Sequence, residues 1–312
     1  MQRCLAFCKS KLGETKAMKL ATIIVNYNNA KETINYVKQI REFENIERIV
    51  VVDNASTELN TMRLLKEVQN EKVLILQSGQ NGGYSYGNNF GIRHLEAIGE
   101  TYDAILISNA DIKIEKTAID RCLEILEKDE KIAIVAPRMY HPNLQPIRRS
   151  SWKIRTFFLD LIHSTRLLEL LFYPKLRAGE YSEKQYAQDL LEVEAISGAF
   201  FIVKYPIFKE IGMFDETVFL FYEEDILAKK LQEKGYKIVS VNDVKCIHYE
   251  SQTIGKTLSY YHKMKQLYKS KIYYHKTYQH MNKEQMFLFQ VLYIFRNIEL
   301  ILEIPIRKML KK

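Results

Sequence analysis

Three adjacent carboxylates, Glu223, Glu224 and Asp225, follow the aromatic run "FLFY" and precede a helical pattern. Acidic side chains at the start of a helix interact favourably with its dipole, so the simplest interpretation of the three is N-terminal capping. One carboxylate would satisfy that role. Three of them behind buried aromatics instead indicate a group placed at a cleft.

A further carboxylate, Asp111, stands in "AILISNADIKI", where an apolar run turns polar at residues 108–111 and then resumes. An aspartate directly after a strand is most often a cap or a turn former. Hard divalent cations such as Mg²⁺ prefer carboxylate and phosphate oxygens, and often use only one or two protein carboxylates. Asp111 therefore has two interpretations, a strand-end cap or a ligand.

Polar residues follow the ends of four apolar runs in the first 111 residues. The runs "LATIIVN", "ERIVVVD", "KVLILQ" and "DAILIS" alternate with helical patterns, which predicts an α/β fold with a mostly parallel sheet. The strands are apolar throughout, as expected when helices cover both faces. Ligands bind outside the carboxyl ends of such strands. The polar groups at these ends are Asn26, Tyr27, Asn28, Asp53, Asn54, Asn81, Gly82, Gly83, Asn109 and Asp111.

The middle of the chain is less regular. Residues 148–176 form a basic, aromatic insertion with helical periodicity, which either covers a site, meets an acceptor or simply packs on the core. A strand, a Ser197-Gly198-Ala199 turn, a second strand and a short helix are predicted after it. Composition is that of a globular protein, with 47% hydrophobic and 27% charged residues.

The net charge of +8 belongs to the C-terminal segment, since residues 256–312 hold 12 Lys/Arg and three Glu. Its apolar run from Met286 to Ile306 is interrupted by five polar or charged residues, too many for a transmembrane span. A basic amphipathic helix on an anionic membrane surface suits it better. The alternative is a helix that packs on the core or forms a homodimer. Nucleic acid is not an expected partner, because the remaining chain is nearly neutral.

The four cysteines include one C-x3-C pair near the N-terminus, but no second Cys/His pair stands at zinc-finger spacing, which fits a reduced cytosolic compartment. The basic N-terminus lacks a long apolar region and a cleavage site, so no signal peptide is predicted. Residues 1–18 are expected to form a disordered leader.

Seven segments in order resemble the inverting family 2 glycosyltransferases with the GT-A fold, and most closely their rhamnosyltransferase-like branch, which builds surface polysaccharides. The segments are "TIIVNYNN", "IVVVDNAST", "NGGYSYGNNFGI", "LISNADI", "SGAFFIVKYPIFKEIGMFDE", "FLFYEEDILAKKLQEKGY" and "CIHYESQTIGK". The resemblance implies a Rossmann-like GT-A domain over residues 19–256, with helices on both faces of its sheet. The basic helical segment over residues 257–312 lies beyond it.

In that family the first strand ends contact the donor, which implies a UDP- or dTDP-sugar here. By resemblance, the donor-binding residues are Asn26, Tyr27, Asn28, Asp53, Asn54, Asn81, Gly82, Gly83, Asn88 and Asn109. Asp53 would accept a hydrogen bond from the base. Asn81 to Asn88 would follow the nucleotide and the diphosphate, with glycines allowing close approach of the backbone.

"SNAD" stands where the family carries its Asp-x-Asp metal motif, so Asn109 replaces the first aspartate. The resemblance implies that Asp111 is a ligand for Mg²⁺ or Mn²⁺, and that Asn109 offers a neutral oxygen or binds the sugar. His248 would add a metal or diphosphate contact, although a lone histidine after a strand is usually structural.

"YEED" resembles the family's Glu-Asp motif, whose acid is the general base. The alignment is ambiguous by one residue, so the base is Asp225 or Glu224, with Asp225 slightly favoured. Ser197, Gly198 and Ala199 would line the acceptor side.

The expected function is inverting transfer to a saccharide or lipid-linked acceptor in surface polysaccharide synthesis. The expected location is the inner face of the cell membrane, with the chain cytoplasmic and peripheral. A nucleotidyltransferase is an alternative, but "NYNNAKET" lacks the basic glycine-rich loop that it would need. An inactive nucleotide-sugar-binding module is another, and the intact carboxylates argue against it.

Overall fold

The computed structural model describes residues 18–172, 179–249 and 260–310; for residue 260 and residues 302–310 only the backbone is described. Residues 1–17 of the predicted leader lie outside this range. Strands and helices alternate over the first 140 residues, where the apolar runs predicted them. The strands are β1 (Leu20–Asn26), β2 (Arg48–Asp53), β3 (Val73–Gln77), β4 (Ala104–Ser108), β5 (Ile112–Lys113) and β6 (Ile132–Tyr140). The helices are α1 (Ala30–Ile40), α2 (Thr61–Leu65) with a 3-10 turn over Lys66–Val68, α3 (Gly83–Ala97) and α4 (Lys116–Lys128).

The second half is richer in helix. Its strands are β7 (Ser151–Trp152), β8 (Leu190–Val193), β9 (Ala195–Ile196), β10 (Phe200–Lys204) and β11 (Lys237–His248). Its helices are α5 (Phe157–Ile162), α6 (Arg166–Leu171), α7 (Glu183–Tyr186), α8 (Tyr205–Glu210), α9 (Glu223–Glu233), α10 (Tyr260–Tyr278) and α11 (Lys283–Leu310). The last two confirm the predicted C-terminal helical tail.

The main sheet has nine strands in the order β3-β2-β1-β4-β10-β6-β11-β5, with β8 pairing to β11 beside this path. Strands β1 to β4 are parallel, which confirms the predicted α/β fold. β10 is antiparallel to both β4 and β6, so the sheet becomes mixed in its second half. β10 begins at the carboxyl edge, where β4 and β6 end, and therefore runs in the opposite direction.

This topology collects several chain segments at one edge of the sheet. Phe200, the first residue of β10, pairs with Ser108 at the end of β4. β11 runs parallel to β6, so its last residue, His248, lies at the same edge, where it pairs with Ile112 of β5. The Ser197-Gly198-Ala199 turn precedes β10 directly. The carboxyl ends of β1, β2, β3, β4, β6 and β11 and the start of β10 therefore lie at one edge of the sheet.

Helices cover both faces of the sheet. Side chains of β1 alternate between two cores, with Leu20 and Ile24 on the face that α1 and α4 cover. Ala21 and Ile23 lie on the opposite face, against α3, α8, α9 and α10. Each core contains about thirty buried residues, and burial of their apolar side chains stabilises the sheet at roughly 25 cal/mol per Å² of area removed from water.

The glycine-rich stretch from Asn81 to Asn88 lies mostly in the first turns of α3, which begins at Gly83. One glycine of this stretch, Gly87, is required by the packing of α3 on β1. A Cβ at Gly87 would lie 2.9 Å from both methyl groups of Val25, so the glycine lets α3 lie directly on β1. This stretch thus packs a helix on the sheet, and the loop that precedes it is short.

The tail packs against the same body. Tyr274 of α10 is fully buried and stacks near Tyr222, with the ring centres 5.3 Å apart. Tyr293 of α11 stacks on Tyr268 of α10 at 3.7 Å. In the described part of the chain, no helix combines the length and the apolar character needed to cross a bilayer.

Candidate active site

Asp53 is buried at the end of β2 and is oriented by three hydrogen bonds. Its Oδ1 accepts from Asn26 Nδ2 (2.8 Å) and from the Ser56 hydroxyl (2.6 Å), while Oδ2 accepts from the Ser56 amide (3.2 Å). The Thr33 hydroxyl donates to Asn26 Oδ1 (2.8 Å), which fixes the amide orientation of Asn26. Oδ2 carries the fewer bonds of the two carboxylate oxygens and keeps capacity to accept another.

Asn54 joins the end of β2 to the start of α3. Its Nδ2 donates to Asn81 Oδ1 (3.2 Å) and to the Gly83 carbonyl (3.0 Å). The Gly83 amide donates to the same Asn81 oxygen (3.2 Å), and the Ser78 hydroxyl donates to Asn54 Oδ1 (3.1 Å). Four of the residues predicted to bind the nucleotide-sugar donor therefore lie together at adjacent strand ends. They are Asp53, Asn54, Asn81 and Gly83.

Asn28 ties together the loops that follow β1 and β2. It has a positive φ of 53°, and its Oδ1 accepts from the amides of Thr57 (2.8 Å) and Glu58 (3.1 Å). Its Nδ2 donates to the Thr57 hydroxyl (3.0 Å). Tyr27, next to it, is half-buried at the same edge. Asn28 builds the loop that a donor nucleotide would contact.

The N-terminus of α3 holds the remaining glycines and Asn88. Gly82 is the residue before the helix, and Gly83 adopts a positive φ of 86° with its Cα against the Phe219 carbonyl. The Tyr84 amide donates to that carbonyl (3.2 Å). Asn88 is buried within α3, where its Nδ2 donates to the Tyr84 carbonyl (3.0 Å). The contact described for Asn88 is thus internal to the helix.

Asp111 and His248 come together although 137 positions separate them in the chain. His248 Nε2 lies 3.3 Å from Asp111 Oδ1, and the Tyr249 amide donates to the Asp111 carbonyl (2.9 Å). The pairing of β5 with the end of β11 brings them into contact. Among the described residues, no group of three or more His, Cys, Asp or Glu side chains is arranged to hold a metal ion. This pair offers a cation two protein ligand atoms, Asp111 Oδ1 and His248 Nε2.

The predicted acceptor-side turn connects the two halves of the site. The Asn109 amide donates to the Ala199 carbonyl (2.8 Å), so the strand end that carries Asp111 is bonded to this turn. The Ser197 amide donates to the Ser150 carbonyl (3.0 Å), which attaches the turn to the insertion.

Glu224 is bonded to the same turn from α9. The Gly198 amide donates to Glu224 Oε1 (3.1 Å), and the Tyr84 hydroxyl donates to the Gly198 carbonyl (2.6 Å). Burial raises the pKa of Glu224, against the effect of the Gly198 amide, which lowers it. Its neighbour Glu223 is more deeply buried, and Glu223 Oε2 has no hydrogen-bond partner among the described residues. Burial and the charge of Glu224 raise the pKa of Glu223 well above its ordinary value.

Asp225 lies against the insertion and is 3% exposed. Trp152 Nε1 (3.1 Å) and the Arg155 amide (3.2 Å) donate to its Oδ1, and Arg155 Nε lies 3.5 Å from Oδ2. Burial raises the pKa of Asp225, and the Arg155 guanidinium opposes that effect. One oxygen is held by two donors, while the other has a single long contact.

Sequence reasoning did not single out Trp152 or Arg155, which contact Asp225 from the insertion. It also missed Asp160, a fully buried carboxylate that bonds Arg155 Nη1 at 3.1 Å. The signal for Asp160 was present, since it is the one charged residue in the apolar run "FFLDLI". A charge at such a position is rarely buried without a partner.

Comparison with known proteins adds the family. Residues 22–212 match the family model described as Glycosyl transferase family 2. The low-salt glycan biosynthesis hexosyltransferase Agl10 of Haloferax volcanii is 28% identical over 249 residues, which cover 80% of this chain and 73% of that protein. The N-acetylglucosaminyl-diphospho-decaprenol L-rhamnosyltransferase of Mycobacterium tuberculosis is 22% identical over 215 residues, 67% of this chain and 68% of that protein.

A solved structure shares the fold. The mannosyltransferase PcManGT from Pyrobaculum calidifontis, in complex with GDP-Man and Mn²⁺, superposes with a TM-score of 0.56 at 17% sequence identity. The match covers 86% of this chain and 66% of that protein, slightly under two thirds of its length.

Proposed function

Because this chain belongs to glycosyltransferase family 2, we propose that it is an inverting glycosyltransferase of surface polysaccharide synthesis. It moves a sugar from a nucleoside diphosphate donor to a saccharide or lipid-linked acceptor. One observation carries the proposal. The carboxyl ends of β1, β2, β4 and β11 lie at one edge of the sheet, and the Ser197-Gly198-Ala199 turn joins that edge to the start of α9 through its bonds to Asn109 and Glu224.

The donor is a UDP- or dTDP-sugar in this proposal. The hydrogen bonds to Asp53 support this choice of donor, because Asn26 and Ser56 hold the carboxylate in place. Its Oδ2 can then accept from the imide N–H of uracil or thymine. Asn54 and Asn81, which are hydrogen-bonded to each other, would contact the ribose and the diphosphate in this proposal. Neutral amides and backbone N–H groups can bind a diphosphate without a large positive charge.

Asp225 is the general base in this proposal. It takes the proton of an acceptor hydroxyl as that oxygen bonds to the anomeric carbon, and the bond from that carbon to the diphosphate oxygen breaks on the opposite side. The products are the inverted glycoside and the nucleoside diphosphate. Support comes from the two donors on Oδ1, which orient Oδ2. Glu224 holds the Gly198 amide and so shapes the acceptor-side turn.

Asp111 and His248 would hold Mg²⁺ or Mn²⁺ together with the donor diphosphate. One carboxylate and one imidazole, whose donor atoms lie 3.3 Å apart, suit a cation that takes its other ligands from phosphate and water. When bound, such a cation offsets the charge on the leaving diphosphate. Because Asn109 is neutral, we expect cation affinity to depend on the presence of the diphosphate.

The acceptor is presented at a membrane surface in this proposal, with the chain peripheral at the inner face. α11 carries two apolar faces, one of which packs inward through Phe289 and Leu300. The opposite face is exposed, and so are three leucines of α6. We define the α6–α11 apolar surface by Leu167, Leu170, Leu171, Phe287, Ile294, Phe295, Ile298 and Ile301, each more than half exposed. A surface of this kind inserts into the interfacial region of a bilayer.

The experiment is a thermal-shift panel of UDP-, dTDP- and GDP-sugars on the purified chain, with and without Mg²⁺ or Mn²⁺. A uridine or thymidine donor with the cation should raise the melting temperature and should slowly release the nucleoside diphosphate. Asp111→Ala should remove the cation-dependent part of the shift, whereas Asp120→Ala, an aspartate on α4 paired with Lys116, should not. Absence of any shift, or release of pyrophosphate, would contradict the proposal.

A further inference from the structure

A buried charged cluster lies beside the proposed base and is not used by the mechanism above. Asp160 of α5 and His275 of α10 are both fully buried. Asp160 Oδ2 accepts from His275 Nε2 (2.7 Å) and from the Tyr222 hydroxyl (2.5 Å), and Oδ1 accepts from Arg155 Nη1 (3.1 Å). A buried carboxylate destabilises a fold unless it is paired and hydrogen-bonded. These three donors meet that requirement.

Arg155 connects this cluster to the proposed active site. Its Nη1 bonds Asp160, while its Nε lies 3.5 Å from Asp225 Oδ2 and its backbone amide donates to Asp225 Oδ1. One guanidinium therefore bridges two buried carboxylates. The geometry of Asp225 depends on where Arg155 is held, and Asp160 is the group that holds its guanidinium.

The tail helix α10 completes the arrangement. Lys271 Nζ donates to the Asp160 carbonyl (3.1 Å), and the Tyr274 hydroxyl donates to the Arg155 carbonyl (3.1 Å). His275 Nδ1 is buried without a hydrogen-bond partner in the described part of the chain. Nε2 is therefore the ring nitrogen through which His275 donates to this cluster.

We propose that Asp160 is a positioning residue, which holds Arg155 against the base Asp225, and that His275 of α10 holds Asp160. The C-terminal segment is then a component of the active site as well as a membrane-facing helix pair. This inference rests on the proposed function in taking Asp225 as the base.

Charge balance supports the same arrangement. Asp160 and Asp225 are matched by Arg155 and Lys271, so the buried cluster has no net charge when the imidazole is neutral. Burial acts to raise the pKa of Asp160, but Lys271, His275 and Arg155 together lower it below its usual range. The direction of this shift favours the ionised form of the Asp160 carboxylate.

The control is built into the same helix. Asp215 also anchors α10, because it accepts from the hydroxyls of Tyr273 (2.7 Å) and Tyr278 (2.6 Å). It makes no described contact with Arg155 or Asp225. Asp215→Asn should therefore remove one anchor of α10 and leave the bonds among His275, Asp160 and Arg155 in place.

The kinetic test compares Asp160→Asn with Asp215→Asn in the full chain. Asp160→Asn should lower kcat on the order of 10²-fold, as expected when a reacting group is displaced, with the donor KM within about twofold. Asp215→Asn should keep kcat within about twofold, even if its melting temperature falls as far as that of Asp160→Asn. Equal losses of kcat in both variants, or none in Asp160→Asn, would overturn the proposal.

A second pair of variants protects the test against misfolding of Asp160→Asn. In His275→Gln the side-chain amide can donate in place of Nε2, whereas His275→Phe removes the donor and keeps an aromatic ring. We expect His275→Gln to retain at least ten times the kcat of His275→Phe. Equal activity of the two would show that the donor to Asp160 does not matter, which contradicts the role assigned to His275.

Fluorescence separates this inference from the proposed function. Trp152 is the chain's one tryptophan, and its Nε1 bonds Asp225 directly. Asp160→Asn should shift its emission and increase its quenching by acrylamide, while Asp215→Asn should leave both unchanged. If the wild type transfers no sugar but the Trp152 emission changes in Asp160→Asn, the proposed function fails and the positioning network stands. An unchanged emission in Asp160→Asn would overturn the network itself.

Discussion

Adjacent residues of α9 have different surroundings and therefore different expected roles. Asp225 has one oxygen fixed by Trp152 and Arg155 and the other nearly unoccupied, which is the arrangement of an oriented acceptor. Glu224 is bonded to the backbone of the Gly198 turn, which is the arrangement of a brace. The sequence motif alone could not separate the two carboxylates, since they differ by one position.

Replacing the two carboxylates by amides tests these roles. Asp225→Asn should lower kcat by about 10²- to 10⁴-fold, the usual contribution of a general base, with donor binding kept. Glu224→Gln should lose far less, because the amide oxygen can still accept from Gly198. Steady-state rates at saturating donor, with thermal shifts to verify donor binding, provide the measurement. A larger loss in Glu224→Gln would transfer the role of base to Glu224.

Glu223 should oppose stability at neutral pH. Its folded-state pKa is raised by burial and by Glu224, so the native state favours its neutral form. Stability from this group is present at low pH and is lost as the pH rises through the raised pKa. Glu223→Gln removes that loss, so its gain in melting temperature should be larger at pH 8 than at pH 5.

The matched control is Glu233→Gln at the far end of the same helix, where the exposed side chain pairs loosely with Lys229 at 3.8 Å. Its melting temperature should change little at either pH. A stabilisation by Glu223→Gln that is equal at both pH values would mean that charge is not the cause.

At the scale of elements, α3 is attached to the loop before α9 through Gly83. Its φ is 86°, and a Cβ would overlap the Phe219 carbonyl oxygen. Gly79 has a similar φ of 80° but open space around it. Gly79→Ala should therefore destabilise the fold by about 1–2 kcal/mol, the cost of the left-handed backbone conformation alone.

Gly83→Ala adds a steric cost to that conformational cost. We expect a clearly larger loss than for Gly79→Ala, because the Tyr84 amide must leave the Phe219 carbonyl for the new methyl group to fit. Urea denaturation of both variants measures the difference directly. Equal losses would show that the contact between the two loops contributes nothing to stability.

Local patterns predicted most elements, because apolar runs and helical spacing are local properties of the chain. The residue at which α3 begins, Gly83, was not predicted, since glycine by itself disfavours a helix and the close packing of Gly87 on β1 depends on residues outside this stretch. The insertion of β10 between β4 and β6 depends on pairings 67–100 residues apart, which no local pattern encodes. The bond between Asp160 and His275 spans 115 residues and was invisible for the same reason.

At the scale of the whole molecule, the tail joins the site to a surface. α10 reaches the buried cluster through His275, and α11 packs on α10 while exposing the α6–α11 apolar surface. α6 is held to α11 because Glu299 accepts from the amides of Arg166 (2.8 Å) and Leu167 (3.2 Å). A membrane contact at this surface would therefore involve α11, which packs on α10, the helix that supports the proposed base through His275.

The double variant Phe295→Ser/Ile298→Ser tests that contact, because both side chains are more than half exposed on the outward face of α11. Cosedimentation with vesicles that contain anionic lipid should weaken on the order of tenfold to hundredfold. Fully burying a large apolar side chain contributes about 1.5–3 kcal/mol, and about half of each of these two side chains is exposed and can be buried in the bilayer. Leu59→Ser, at an apolar residue that is 91% exposed in the loop before α2, should bind vesicles like the wild type. Light scattering without vesicles distinguishes the alternative occupant. A wild-type dimer that becomes a monomer in the double variant, with vesicle binding absent in both, would assign the surface to a second copy of the chain.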